Sequence, residues 1–252
     1  MIPKSTFPIF QNPDSVGTSF DWPARSETGV VCFHGFTATT VEVRKFAESL
    51  HQAGYSVSGP LLPGHGESPE ALNKVGRKDW FRSAENAYLQ MQGKCRNVFL
   101  VGESTGALLS ILLAAKYPQI KGILLFSPAL IIHGIWMSKF IWPFKAYTYK
   151  KHVDLTSPWQ GFNVIPLHGA GELSKLQSRT RRTLKKVTVP VIVFQGKLDK
   201  TIDPMSSEII LEKIGSSDTQ LVWLENSPHV ILLEGPFNDV MELSLDFIMS
   251  RN

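Results

Sequence analysis

The sequence predicts an α/β fold: a mostly parallel sheet of about seven strands, helices on both faces, and a cap inserted in the second half. Three observations carry this. Short runs such as Val30-Val31-Cys32-Phe33, Ile123-Leu124-Leu125-Phe126 and Val191-Ile192-Val193-Phe194 are apolar without interruption, as in strands covered on both faces. Stretches with apolar residues at helical spacing lie between such runs, so strands and helices alternate. The run Val98-Phe99-Leu100 then breaks into Gly102-Glu103-Ser104-Thr105-Gly106 and a second apolar run, which reads as strand, sharp turn and helix.

In chain order, residues 7–10 form a short edge-strand candidate and residues 29–34 the first central strand. Val43, Phe46, Ala47 and Leu50 recur at helical spacing, and Gly54 ends that helix. The next strand starts at Tyr55 and opens into a loop over residues 60–68. Asp79 is expected to cap a helix whose inward face is Trp80, Ala84, Ala87, Tyr88 and Met91. The helix after Ser104 is apolar nearly all round and should be buried. Strands follow at 122–126, 191–194 and 219–224. The last helix starts at Pro236 and places Phe237, Val240, Met241, Leu245 and Ile248 on one face. Residues 127–186 are too long for a plain connection and are expected to form a mobile, partly helical cap over the serine. The core is then 1–126 plus 187–252, one domain overall. At 252 residues and 43% hydrophobic, the chain can bury one substantial core.

Ser104 is the candidate nucleophile. The Gly-x-Ser-x-Gly turn holds the serine in a strained conformation, and side chains at Gly102 and Gly106 would collide across the bend. A serine hydroxyl needs a base, and the base needs a carboxylate to fix its tautomer. Downstream of Ser104 lie His133, His152, His168 and His229. His229 follows a strand-like run in Ser227-Pro228-His229, at the strand end where an open α/β sheet places its chemistry. Asp199, after the strand at 191–194, is the chosen acid. Its rival Asp203 precedes Pro204 and reads better as a helix N-cap. Two backbone donors should hold an oxyanion, the N–H groups of Thr105 and Phe36. His34 and His65 read as loop-holding residues.

With these residues in place, the chain resembles the α/β-hydrolases, in particular small bacterial carboxylesterases and monoacylglycerol-lipase-like enzymes. The matching motifs are His34-Gly35-Phe36-Thr37, the stretch from Gly54-Tyr55 to Pro63-Gly64-His65-Gly66, Asp79-Trp80, the Ser104 turn, Gly196 to Asp199, and Ser227-Pro228-His229. They span about residues 28–120 and 188–250 in matching order. The resemblance implies a serine esterase that forms an acyl-enzyme on a small-molecule carboxylic ester, without cofactor or metal. Glu103 departs from the group, which often has an apolar residue there. If ionised near the site, it would favour the His229 imidazolium. Rivals are cleavage of a thioester, amide or carbon–carbon bond on the same site, or a non-catalytic ligand-binding module, which would typically lack a triad member.

Charge and composition narrow the partners. Ten Lys/Arg face two acids between residues 133 and 186, whereas the remainder carries sixteen against twenty. A solvated basic face is the commoner meaning; an anionic substrate or an anionic lipid surface are the alternatives. No nucleic-acid-binding motif accompanies the charge. The cap aromatics Trp136, Phe140 and Trp142 are expected either to line an acyl pocket or to pack the cap on the sheet. Two cysteines indicate no disulfide framework, no apolar leader is evident, and a cytoplasmic location fits.

Overall fold

The computed structural model describes residues 8–151 and 153–252. Seven strands form one sheet: β1 (Phe20–Trp22), β2 (Thr28–Phe33), β3 (Ser56–Gly59), β4 (Asn97–Glu103), β5 (Gly122–Phe126), β6 (Val191–Gly196) and β7 (Thr219–Leu224). Their spatial order is β7-β6-β5-β4-β2-β3-β1, and only the edge pair β1–β3 is antiparallel. The helices are α1 (Val41–Gln52), α2 (Pro69–Lys74), α3 (Arg77–Gln92), α4 (Thr105–Lys116), α5 (Ser138–Ile141), α6 (Leu167–Thr183), α7 (Met205–Lys213), α8 (Ile231–Glu234) and α9 (Phe237–Met249).

Strand alternation builds two cores. Val31, Phe33, Leu100, Ile123, Leu125 and Val193 face α3, α4 and α6, whereas Val30, Cys32, Phe99, Val101, Phe126 and Phe194 face α1 and α9. Because successive side chains point to opposite faces, an uninterrupted apolar strand serves both cores at once. Helix α4 is buried along nearly its whole length, as its all-round apolarity requires. From β2 the chain goes outward to β3 and then returns to β4 on the other side. The strand order therefore reverses between β2 and β4, which opens a crevice at their C-terminal ends. Residues 34–37 and Ser104 leave those two strand ends.

Three expectations change. The sheet's edge strand is β1, not residues 7–10; Phe10–Gln11 instead pairs antiparallel with Gly161–Phe162, and Phe7 lies outside the described residues. Asp79 is not the N-cap but the third residue of α3, where its carboxylate accepts the Gly76 N–H at 3.1 Å. The expected insertion over 127–186 divides. Leu173 and Leu176 of α6, with Leu184 just after it, belong to the core cluster beside α4, so α6 is part of the helical layer on the sheet. Before α6, Ala129, Leu130, Phe162 and Val164 join the same cluster, and Tyr147 and Tyr149 pack against it, whereas the part around α5 carries exposed aromatics. This stretch contains α5 and the antiparallel pair Tyr147–Tyr149 with Val164–Pro166.

Candidate active site

Ser104 sits between β4 and α4 at φ 55°, ψ −110°. Non-glycine residues in such a region cost about 1–3 kcal/mol, and the neighbouring glycines explain how the strain is tolerated. A Cβ on Gly102 would lie 2.3 Å from the Gly106 carbonyl carbon, and one on Gly106 would lie 2.1 Å from the Phe33 oxygen. The Ser104 N–H donates to the Phe126 carbonyl at 2.9 Å, and its own carbonyl accepts from the Ala129 N–H at 3.1 Å. The elbow is thus fixed to the end of β5 and the segment after it.

The structure brings Ser104, His229 and Asp199 together across 125 and 30 residues of chain. His229 Nε2 lies 3.2 Å from Ser104 Oγ, and Nδ1 lies 2.8 Å from Asp199 Oδ2. The loop carrying His229 crosses close over the end of β6, where a Cβ on Gly196 would meet the Ser227 oxygen at 2.3 Å. Asp199 Oδ1 accepts the N–H groups of Thr201 and Ile202 at 2.8 and 2.9 Å. Burial alone would raise this carboxyl, but the His229 hydrogen bond and charge, with the two amides, bring it below the ordinary range. An ionised Asp199 only accepts, so His229 carries its proton on Nδ1 and turns a lone pair toward Ser104.

Asp203 does not enter this cluster. Its Oδ1 accepts the Met205 N–H at 3.0 Å, at the start of α7, and Oδ2 pairs with the exposed His133 at 2.9 Å. His168 meets Trp142 edge to face with 5.1 Å between ring centroids, and His152 is outside the described residues.

The loop after β2 is held from several sides. His34 Nδ1 donates to the Gly35 carbonyl at 2.9 Å, and Nε2 accepts the Leu62 N–H at 3.0 Å. Burial lowers the His34 pKa to about 4, with the Gly35 carbonyl opposing, so His34 stays neutral and in that tautomer. In a planar trans peptide the C=O and the next N–H point in opposite directions. Fixing the Gly35 carbonyl therefore fixes the direction of the Phe36 N–H. Thr105 is the first residue of α4, where backbone N–H groups lack helical partners and the helix dipole favours negative charge. The Phe36 ring packs near His65 and Trp80 and touches α6 at Gly169.

Two buried carboxyls lie beside this constellation. Glu103 Oε1 accepts the Leu232 N–H at 3.4 Å, in the helix after His229. Burial first, and the charge of Glu42 second, push the Glu103 carboxyl well above its usual range. Its ionisation is disfavoured more than that of Glu42, which works against the imidazolium-favouring charge considered for Glu103. Glu42, to which the sequence draws no attention, lies under the loop after β2. The aromatics expected at an acyl pocket are placed outward: Trp136 is 54%, Phe140 59% and Trp142 46% exposed.

The profile of a family described as serine aminopeptidase, S33, matches residues 24–160 and 157–236. A thermostable monoacylglycerol lipase of Bacillus sp. (strain H-257) is 30% identical over 241 residues, 94% of this chain and 96% of that protein. A carboxylesterase of Bacillus subtilis (strain 168) is 27% identical over 216 residues, 82% of this chain and 87% of its own. Among solved structures, one from a study of the metagenome-derived lipolytic enzymes LipS and LipT superposes with a TM-score of 0.88 at 27% identity. It covers 93% of this chain and 98% of its own. The fold is that of the α/β-hydrolases.

Proposed function

The chain belongs to the serine aminopeptidase, S33, family of α/β-hydrolases, and on that footing we propose that it is a serine carboxylesterase acting on monoacylglycerol-like and other carboxylic esters. The supporting observation is the imidazole of His229 held between Ser104 Oγ at 3.2 Å and the carboxylate of Asp199 at 2.8 Å. Ser104 Oγ attacks the ester carbonyl carbon while His229 Nε2 takes its proton. Asp199 stabilises the imidazolium, and the N–H groups of Phe36 and Thr105 donate to the carbonyl oxygen as negative charge grows on it. His229 then returns the proton to the departing alcohol, which leaves an acyl-Ser104. Water, deprotonated by His229, releases the acid and restores the serine.

The names borne by the Bacillus relatives favour esters over amides, and the filled site counts against a non-catalytic binding module. We take residues 131–166 as the cap. Phe144 is 91% exposed and stands in a stretch with the exposed Trp136, Met137, Phe140 and Trp142, flanked by Lys139, Lys145 and Lys151. Clustered exposed aromatics with cations suit an anionic lipid surface, which would deliver amphiphilic esters. The buried, unpaired thiols of Cys32 and Cys95 fit a reducing compartment such as the cytoplasm.

The deciding experiment is labelling with a fluorophosphonate and peptide mapping, beside a panel of esters of rising acyl length with matched amides and thioesters. Modification at Ser104 with preference for esters is expected. Preferred turnover of the amide or thioester, or labelling elsewhere, would refute the reading.

A further inference from the structure

The ester-hydrolysis reading leaves the buried carboxyl of Glu42 without a part. Glu42 lies in the first turn of α1, 3% exposed, where an acid usually does no more than face the helix N-terminus. Here it reaches back to the loop after β2. Its Oε2 accepts the Gly35 N–H at 2.5 Å, and its Oε1 accepts the indole N–H of Trp159 at 3.1 Å. Both oxygens act as acceptors, the arrangement of an ionised carboxylate. A Cβ added to Gly35 would lie 2.9 Å from Glu42 Oε2 and 3.1 Å from Ser104 Cβ, so the carboxylate and the serine flank the same glycine.

Trp159 does not act alone. Lys150 Nζ lies 4.1 Å from the centre of the Trp159 ring and donates to Thr37 Oγ1 at 2.9 Å. Thr37 has φ 68° and lies one residue beyond Phe36. The same stem holds the loop by its backbone: the Thr37 carbonyl accepts the Phe162 N–H at 2.9 Å, and the Gln160 carbonyl accepts the Thr39 N–H at 3.2 Å. Burial lowers the Lys150 pKa to about 8 against the pull of Glu42. Its ammonium counters the repulsion that a lone Glu42 anion would exert on an oxyanion.

Gly35 is consequently clamped on both of its peptide planes. Glu42 holds its N–H, and His34 holds its carbonyl, whose plane contains the Phe36 N–H. We propose that Glu42 is a positioning residue for the oxyanion hole, and that Trp159 and Lys150 of the cap stem complete it. Docking of the cap stem and aiming of the Phe36 N–H are then one event. A donor contributes to the transition state only if it already points at the developing charge. The inference rests on the reading of Ser104 as nucleophile and adds a group that touches neither substrate nor reacting atoms.

The test uses the full chain, p-nitrophenyl butyrate as probe, and circular dichroism to establish folding. Glu42→Leu leaves the Gly35 N–H unheld and should lower kcat by about 10²-fold, the range for loss of one oxyanion donor, with KM within about twofold. Glu42→Gln keeps one acceptor oxygen for Gly35 and should recover part of that loss. Trp159→Phe removes only the indole N–H and should also lower kcat rather than raise KM. A merely structural role would not produce this ordered loss confined to kcat. Folded Glu42→Leu protein with kcat within twofold of wild type, or with its loss wholly in KM, overturns the inference. If Glu42→Leu does not fold, unchanged kcat in Trp159→Phe overturns it. Wild type and Ser104→Ala separate the two layers. Hydrolysis that persists without Ser104 overturns the reading and the inference together, whereas Ser104-dependent hydrolysis indifferent to Glu42 overturns the inference alone.

Discussion

Replacing Asp199 by Asn is the sharpest perturbation of the proposed site, because the surroundings dictate which way the new amide must point. Asp199 Oδ1 accepts two backbone N–H groups, from Thr201 and Ile202, and Oδ2 faces His229 Nδ1, with the Gln195 amide nitrogen 3.4 Å away. An asparagine has one acceptor oxygen and one donor NH2. Turning the NH2 toward Thr201 and Ile202 would set buried donors against donors, at about 1–3 kcal/mol for each group left unpaired. The oxygen therefore stays with the two amides and the NH2 faces His229. Nδ1 must then accept, the ring proton moves to Nε2, and the lone pair that would take the Ser104 proton is gone.

A wrong tautomer of this kind costs about 10⁴-fold in kcat, or about 5.4 kcal/mol at about 1.36 kcal/mol per tenfold. KM should change little, since Asp199 does not face the substrate. Asp203→Asn is the matched control. Its carboxylate bonds the Met205 N–H and an exposed histidine, so the expected cost is about 1 kcal/mol of stability with kcat preserved. Steady-state hydrolysis of p-nitrophenyl butyrate reads the first quantity and urea unfolding the second. Exchange of the two outcomes would show that Asp203 is the acid, and the tautomer reasoning would fall with it.

The remaining predictions follow from the same contacts. Ser104→Ala should lower kcat by about 10³-fold or more in a folded protein; ester turnover near the wild-type rate would remove the nucleophile assignment. Glu103→Gln should leave the acid limb of kcat/KM in place, since burial and Glu42 disfavour ionisation of the native carboxyl, and a displaced limb would contradict that. The same variant should change stability in a pH-dependent way. A carboxyl raised in the folded state binds more protons folded than unfolded, so wild type loses stability as pH rises above the ordinary carboxyl range toward the raised value. Urea unfolding should favour Glu103→Gln more at pH 8 than at pH 5, and an equal difference at both would refute the assignment. Phe144→Ser combined with Lys145→Gln and Lys151→Gln should abolish co-sedimentation with anionic vesicles at low salt while sparing a short soluble ester. Glutamines at Arg182, Lys185 and Lys186 should leave that binding intact, and the reverse pattern would move the lipid surface elsewhere.

The central strands and the turn around Ser104 are legible in the sequence because each answers to a local constraint. A strand buried on both faces must be apolar throughout, and a serine at φ 55° needs glycines on either side. Strand β1 escapes notice for the opposite reason: Phe20-Asp21-Trp22 is short, lies at an edge and buries only one of its three residues well. Glu42 escapes because its local meaning, an acid in a helix's first turn, is complete without its second one. Its partner Trp159 lies 117 residues away, and no spacing rule in a single sequence joins them.

The cap shows how an apolar stretch can mislead. Aromatics at 136–144 resemble pocket or packing residues, yet α5 is only four residues long and has too little surface to cover them. The basic residues that follow looked like part of the same surface. In α6 and the turn after it, however, Leu173, Leu176 and Leu184 turn inward and fix where the long cationic side chains can go. The helix touches Phe36 at Gly169, and its C-terminal turn lies about 20 Å further along its axis at about 1.5 Å per residue. Arg182, Lys185 and Lys186 lie at the end of α6 and in the turn after it, toward the far end of the sheet from the loop after β2. Lys139, Lys145 and Lys151 are interleaved with or next to the exposed rings, so in the proposed lipid contact they are the cations nearest to the aromatics.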